Sequence, residues 1–152
     1  MNKLRRKILR LGTSFASVAL LASIPAARVW AAAWNKAGFD AKTAADALKT
    51  LGVENAVESR EITITAPDIA ENGAVVPVAV LSRIPITQSI SIIAEKNPFP
   101  LAATFDLATG SDAYVSTRLK MGQTSNVRAV VKADGRYYTA VKEVKITVGG
   151  CG

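Results

Sequence analysis

From residue 61 onward, apolar and polar residues alternate with a period of two, the pattern of strands with one buried face. Runs of this kind, separated by turn residues, cover residues 62–65, 75–80, 89–92, 101–107, 114–121, 127–132 and 137–148. Asp134-Gly135, between the last two runs, predicts a tight β-hairpin. About seven short strands with little helix among them predict an all-β protein, an immunoglobulin-like β-sandwich.

One helix is predicted before the strands. Asp40 is a suitable N-cap for the segment that follows it, and apolar residues recur there at helical spacing up to Leu51. Gly52 is expected to end the helix, because glycine is common just after the last helical residue. The apolar stripe is narrow and rich in alanine, so the helix is expected to lie against a sheet.

Three positions in the strand region predict irregularities. Pro77, within an apolar run, indicates an edge strand or a bulge because proline has no backbone N–H. The apolar phase slips between Val141 and Val144, which predicts a β-bulge. Residues 121–126 are interpreted as a hairpin loop between two neighbouring strands.

Residues 1–33 are predicted to be a signal peptide, because a basic stretch at residues 3–10 leads into an apolar run at residues 11–24. Pro25 and several alanines follow, as expected before a cleavage site. The segment "RRKILR" resembles a twin-arginine export signal. The expected organisation is therefore a signal at 1–33, a β-sandwich domain at 34–148 and a flexible C-terminal arm at 149–152, with the mature protein in the periplasm and not in the membrane.

The charge of the chain resides mainly in that signal. The net charge is +7, but six of the nineteen basic residues precede residue 34, where there is no acidic residue. The remainder is close to neutral, so it carries no basic patch of the kind that binds nucleic acid. No nucleic-acid partner is expected.

The chain lacks the residues that most catalytic and metal sites need. It has no histidine and one cysteine. Serine–histidine and cysteine–histidine catalysis are therefore excluded, as are zinc, copper and iron–sulfur sites built on these ligands. No glycine-rich phosphate loop follows a strand, and the carboxylates are scattered singly. The sequence predicts no enzymatic activity of its own, no metal and no cofactor.

The single cysteine, Cys151, is the remaining candidate for chemistry. It cannot form an internal disulfide, and Gly149, Gly150 and Gly152 surround it. Glycine makes such a segment narrow and flexible, so the thiol would reach on the order of 10 Å beyond the last strand. An ordinary thiol is mostly protonated at neutral pH, so Cys151 is expected to react only inside an electropositive partner site. Two interpretations remain open: a covalent carrier, or an exported immunoglobulin-like structural or adhesion module cross-linked through its cysteine.

Several segments resemble one protein family. They are "ENGAVVPVAV", "NPFPLAATFDL", "STRLKMGQTSNVRAVVKADGRYY" and the terminal "VGGCG", preceded by an alanine-rich helix. Together they resemble SoxY, the sulfur-carrier subunit of the bacterial thiosulfate-oxidising Sox system. The terminal motif is short but specific in an exported chain, and the resemblance extends over the predicted mature domain.

The resemblance implies a function that composition does not show. Cys151 would carry the sulfur substrate covalently. A haem-containing SoxAX-like partner would join thiosulfate to it, a SoxB-like hydrolase would release sulfate, and a sulfane dehydrogenase would oxidise the remaining sulfur. The chain would form a heterodimer with SoxZ, another small β-sandwich.

The terminal motif departs from the family pattern at one point. The family usually ends in Gly-Gly-Cys-Gly-Gly, whereas only Gly152 follows Cys151 in this sequence. A shorter tip is expected to bring the terminal carboxylate closer to the thiol and to affect docking to individual partners.

Overall fold

The computed structural model describes residues 34–53 and 55–147. The predicted signal peptide at 1–33 and the predicted arm at 149–152 lie outside these residues. Two helices, α1 (Lys36–Asp40) and α2 (Ala44–Thr50), precede the strands. The strands are β1 (Val57–Glu58), β2 (Ile62–Thr65), β3 (Ile69–Ala70), β4 (Val76–Ser82), β5 (Thr87–Ala94), β6 (Leu101–Asp106), β7 (Tyr114–Leu119), β8 (Ser125–Ala133) and β9 (Arg136–Ile146).

The strands form two sheets. The larger sheet has the order β1-β9-β8-β5-β6, with β3 pairing farther along β9, and the smaller sheet has the order β2-β4-β7. The short strands β1 and β3 run parallel to β9, and the other pairs are antiparallel. Buried aliphatic residues from both sheets form one core, which confirms the predicted all-β sandwich. The core includes Val76, Val78, Val80, Ile90, Ile92, Val127, Ala129, Val131 and Val144.

The helical region packs on the outer face of the larger sheet, as the alanine-rich stripe predicts. Ala47 in α2 is fully buried and belongs to a second cluster with Ile93 and Val130. The predicted N-cap was wrong, because the region holds two helices and Asp40 ends the first. Thr43 caps α2: its Oγ1 accepts a hydrogen bond from the N–H of Asp46 at 3.1 Å.

The bulge predicted in the last strand is absent, since β8 and β9 pair without interruption from Ser125↔Val144 to Ala133↔Arg136. The apolar phase slips because Val141 lies on the outer face, where it is 41% exposed. The register shifts occur instead on β5. Residues 121–126 form no hairpin, because β7 and β8 belong to different sheets and the segment crosses between them.

Pro77 lies in β4, the middle strand of the smaller sheet, rather than in an edge strand. Its neighbour β2 has already ended, because the last pair on that side is Thr65↔Ala79. Pro77 therefore has no strand partner on the β2 side, and its missing N–H costs no ladder bond there.

Ile86, in the turn between β4 and β5, has the left-handed φ of 56° and is 70% exposed. A β-branched side chain is strained in this conformation, by about 1–2 kcal/mol, whereas glycine adopts it readily. We expect Ile86→Gly to raise the free energy of unfolding by about 1 kcal/mol in urea denaturation, after the backbone entropy of glycine is deducted. Ile69→Gly, at an exposed strand isoleucine, is the control and should lower it. Equal losses in the two variants would contradict strain at Ile86.

Candidate functional site

The predicted attachment residue Cys151 and its neighbours Gly149, Gly150 and Gly152 lie outside the described residues. The structure defines the point from which they extend. Strand β9 ends at Ile146, and the N–H of Thr147 still donates a hydrogen bond to the carbonyl oxygen of Ala70 at 3.2 Å. We call residues 144–147 the arm base.

The arm base is hydrogen-bonded on both sides. On one side β3 pairs with it in parallel, through Ile69↔Lys145 and Ala70↔Ile146. On the other side the N–H of Ile146 donates to the Oγ1 of Thr124 at 3.0 Å. Val144 is fully buried in the sandwich core. The chain is therefore fixed up to residue 147, and any movement of the thiol must arise beyond it.

The length of the segment sets how far the thiol extends from that fixed point. Residues 148–151 separate Thr147 from the sulfur atom. At ~3.3–3.6 Å per extended residue, Cys151 can lie at most ~14 Å from Thr147. This distance is enough for the thiol to enter a cleft of a second protein while the sandwich stays at its surface.

Two loops beside the arm base are tied to each other. The Nδ2 of Asn97, between β5 and β6, donates to the carbonyl oxygen of Lys120 at 2.7 Å. The Nε2 of Gln123 donates back to the carbonyl oxygen of Lys96 at 3.3 Å. Lys96 and Lys120 are both exposed. The sandwich end from which the arm leaves is thus closed by cross-linked loops that present two lysines.

A charged network lies on the outer face of the larger sheet near the same end. Arg128 and Glu95 form an ion pair, with Nη2 and Oε1 2.6 Å apart, and both side chains are about three-quarters buried. Asn126 Nδ2 donates to the other carboxylate oxygen of Glu95 at 3.1 Å. The pairing gives each charge a partner and indicates a structural role. The sequence gives no signal for it, because Glu95 and Arg128 are 33 positions apart.

The described residues hold no other evident chemical site. Among them, no three His, Cys, Asp or Glu residues are grouped as metal ligands. No helix within residues 34–53 and 55–147 is long and apolar enough to cross a membrane.

Two cavities, of about 560 and 400 Å³, lie at the end of the sandwich that holds the β8–β9 hairpin, opposite the arm base. They are lined by Tyr137, Tyr138 and Arg136 and by Ile84, Ile86 and Leu107, respectively.

Comparison with known proteins covers Cys151, which lies outside the residues that the structure describes. A family profile described as "Sulfur oxidation protein SoxY" matches residues 47–151, a range that includes Cys151. The chain belongs to the SoxY family. The resemblance inferred from its segments is thereby confirmed. No curated protein sequence matches the chain.

Solved structures agree with this assignment. The sulfur carrier protein SoxY from Chlorobium limicola f thiosulfatophilum is 43% identical, with a TM-score of 0.63, over 68% of this chain and 96% of that one. Superoxide reductase (neelaredoxin) from Ignicoccus hospitalis is 18% identical, with a TM-score of 0.51, over 58% of this chain and 81% of that one. The second likeness shows the shared sandwich fold alone. SoxY family membership connects this chain with the Sox system and partners such as SoxZ.

Proposed function

We propose that the protein is a periplasmic sulfur carrier that binds thiosulfate-derived sulfur covalently on Cys151 and presents it to the enzymes of a Sox system. The observation that carries the proposal is the family match through residue 151, together with 43% identity to a SoxY described as a sulfur carrier protein. The arm base supports it, since a chain that is fixed up to Thr147 and has two glycines immediately before its cysteine suits a thiol that visits several active sites.

In the proposed cycle, partner enzymes carry out the reactions on the sulfur bound to Cys151. In the first step the thiol loses its proton and a bond forms between its sulfur and the outer sulfur of thiosulfate. Two electrons pass to a haem-containing SoxAX-like partner, and a cysteine S-thiosulfonate results. A SoxB-like hydrolase then adds water, so that sulfate leaves and a cysteine persulfide remains. Where a sulfane dehydrogenase is present, it oxidises the remaining sulfur. The carrier itself supplies only the thiol and the segment that extends it from the sandwich, and it requires no cofactor.

The N-terminal region supports the proposed location. Residues 1–33 have the charge and hydropathy pattern of an export signal, including the twin-arginine-like segment. This export route suits a subunit that folds before it crosses the membrane. We propose that the mature chain, from about residue 34, works in the periplasm as a heterodimer with a SoxZ-like subunit.

The test is the intact mass of the mature protein, purified without reductant from cells grown on thiosulfate. Adducts of ~112 Da for a thiosulfonate or ~32 Da for one added sulfur should appear at Cys151 and vanish on reduction. A matched sample from cells grown without reduced sulfur should carry the bare thiol. If thiosulfate-grown cells yield only a bare thiol or a disulfide-linked homodimer, the carrier proposal is wrong and the cross-linked structural module is favoured.

A further inference from the structure

The turn that precedes β4 holds an asparagine followed by a glycine, Asn72 and Gly73. The N–H of Val75 donates to the carbonyl oxygen of Asn72 at 3.3 Å and closes the turn. Asn72 is exposed, and its Oδ1 accepts a hydrogen bond from the N–H of Ala74 at 2.9 Å. The side-chain amide is therefore held beside the backbone of Gly73, which lies between the two bonded residues.

The turn supplies a nucleophile and a hydrogen-bond donor for the side chain of Asn72. Within the described part of the chain the N–H of Gly73 donates no hydrogen bond, and glycine has no Cβ to hinder approach to its nitrogen. If that nitrogen adds to the side-chain carbonyl carbon of Asn72, negative charge develops on Oδ1. The N–H of Ala74, already 2.9 Å from Oδ1, would stabilise this charge as a donor of an oxyanion hole does.

The other asparagines of the described chain lack this combination. Asn97 precedes Pro98, whose nitrogen carries no hydrogen and cannot close the same ring. In the remaining cases the next residue has a Cβ that hinders its nitrogen; these are Asn35, Asn55 and Asn126. Asn72 is therefore the asparagine at which attack by the following backbone nitrogen should be fastest.

We propose that Asn72 is a site of spontaneous deamidation. The nitrogen of Gly73 bonds to the side-chain carbonyl carbon of Asn72 and loses its proton, ammonia leaves, and a succinimide ring closes. Water then opens the ring at one of its two carbonyl groups. One opening gives aspartate, and the other gives isoaspartate, in which the main chain runs through the side-chain carbon. The reaction consumes water, releases ammonia and needs no oxidant or reductant. Each product places a carboxylate where the chain had a neutral amide.

The two products differ in their effect on the arm base. The carbonyl oxygen of Gly73 accepts a hydrogen bond from the N–H of Met121, and a Cβ at residue 73 would lie 3.1 Å from the Cγ2 of Ile146. Isoaspartate inserts a methylene group into the main chain directly before Gly73, and so displaces a backbone that has no spare room. Aspartate leaves the main chain unchanged. Isoaspartate at residue 72 should therefore loosen the arm base, whereas aspartate should add only charge.

The site is tested by peptide mapping of the purified full mature chain, sampled during incubation at mildly alkaline pH and physiological temperature. Asn72 should gain the mass of an amide-to-acid conversion at least tenfold faster than Asn35, Asn55 or Asn126. Enzymatic methylation specific for isoaspartate should label the same peptide. Asn72→Gln should stay unmodified at that position, because glutamine would have to close a larger ring. If thermal unfolding shows that this variant does not fold, Asn72→Ser replaces it. Conversion at Asn72 no faster than at the other three asparagines would overturn the proposal.

Hydrogen exchange tests the effect on the arm base. The isoaspartate form, separated by ion exchange, should exchange the amides of Ile146 and Thr147 at least tenfold faster than fresh protein does. These amides donate to Thr124 and Ala70, respectively. Asn72→Asp is the matched control and should exchange as fresh protein does. Unchanged protection in the isoaspartate form, or equally fast exchange in Asn72→Asp, would overturn the main-chain effect. Neither measurement requires a loaded thiol, so the result is independent of sulfur carriage.

Discussion

Moving the only thiol of the chain from residue 151 to residue 147 is expected to abolish thiosulfate-dependent sulfate release in a reconstituted Sox system. In the double variant Thr147→Cys, Cys151→Ser, the thiol lies on the residue whose N–H is bonded to Ala70. It loses up to ~14 Å of reach relative to residue 151. A sulfur held at the sheet cannot enter a partner's cleft, so we expect a rate at least 100-fold below that of the wild type. Cys151→Ser alone should give no release.

The double variant tests whether the distance of the thiol from the sheet matters, because it keeps one exposed thiol at the same end of the sandwich. Thr147 is exposed, so a cysteine there should react with a small maleimide, and this labelling confirms that the thiol is present and reduced. The control Thr147→Ser, with Cys151 intact, should support release at close to the wild-type rate. Sulfate release by the double variant within tenfold of the wild type would contradict the role of the arm, because it would show that any exposed thiol at this end suffices.

The fold was largely predictable because its strands are long enough to show alternation. The seven predicted runs correspond to β2 and β4 to β9, and the hairpin at Asp134-Gly135 is present with φ values of 47° and 70°. Strands β1 and β3 were missed because two residues cannot display a period of two. The helix start was misplaced because Asp40 and Thr43 are both good N-cap residues, and only the structure shows which one caps α2.

Cys151 could be predicted from the sequence, whereas the contacts of the arm base could not. Cys151 stands out because it is the only cysteine and glycines surround it. The arm base depends on pairs such as Ala70↔Ile146, which join residues far apart in the chain. The pairing of β3 with the end of β9 leaves no local pattern, and the Thr124 hydroxyl that accepts from Ile146 lies in a segment that was interpreted as a hairpin loop. Long-range register of this kind is set by tertiary packing and had to come from the structure.

Gly73 is expected to be the position near the arm base most sensitive to a single added methyl group. It precedes β4, and its carbonyl oxygen accepts a hydrogen bond from the N–H of Met121 at 2.6 Å. A Cβ at residue 73 would clash with the backbone carbonyl oxygen of Met121 and lie 3.1 Å from the Cγ2 of Ile146. Moving either the backbone carbonyl of Met121 or the packed end of β9 would cost hydrogen bonding or packing, and so would lower the stability of the folded state. We expect Gly73→Ala to lower the free energy of unfolding by about 2–4 kcal/mol in urea denaturation.

Gly122→Ala is the matched control, because a Cβ at residue 122 meets no atom within 4 Å although the residue adjoins Met121. It should change stability by less than about 0.5 kcal/mol. Since the clash at residue 73 reaches Ile146, Gly73→Ala should also speed hydrogen exchange at the amides of Lys145 and Thr147, which are bonded to the β3 segment. Gly122→Ala should leave those amides protected. Equal stability of the two variants would show that the loops at this end give way easily, and the arm would then start from a movable base rather than a fixed one.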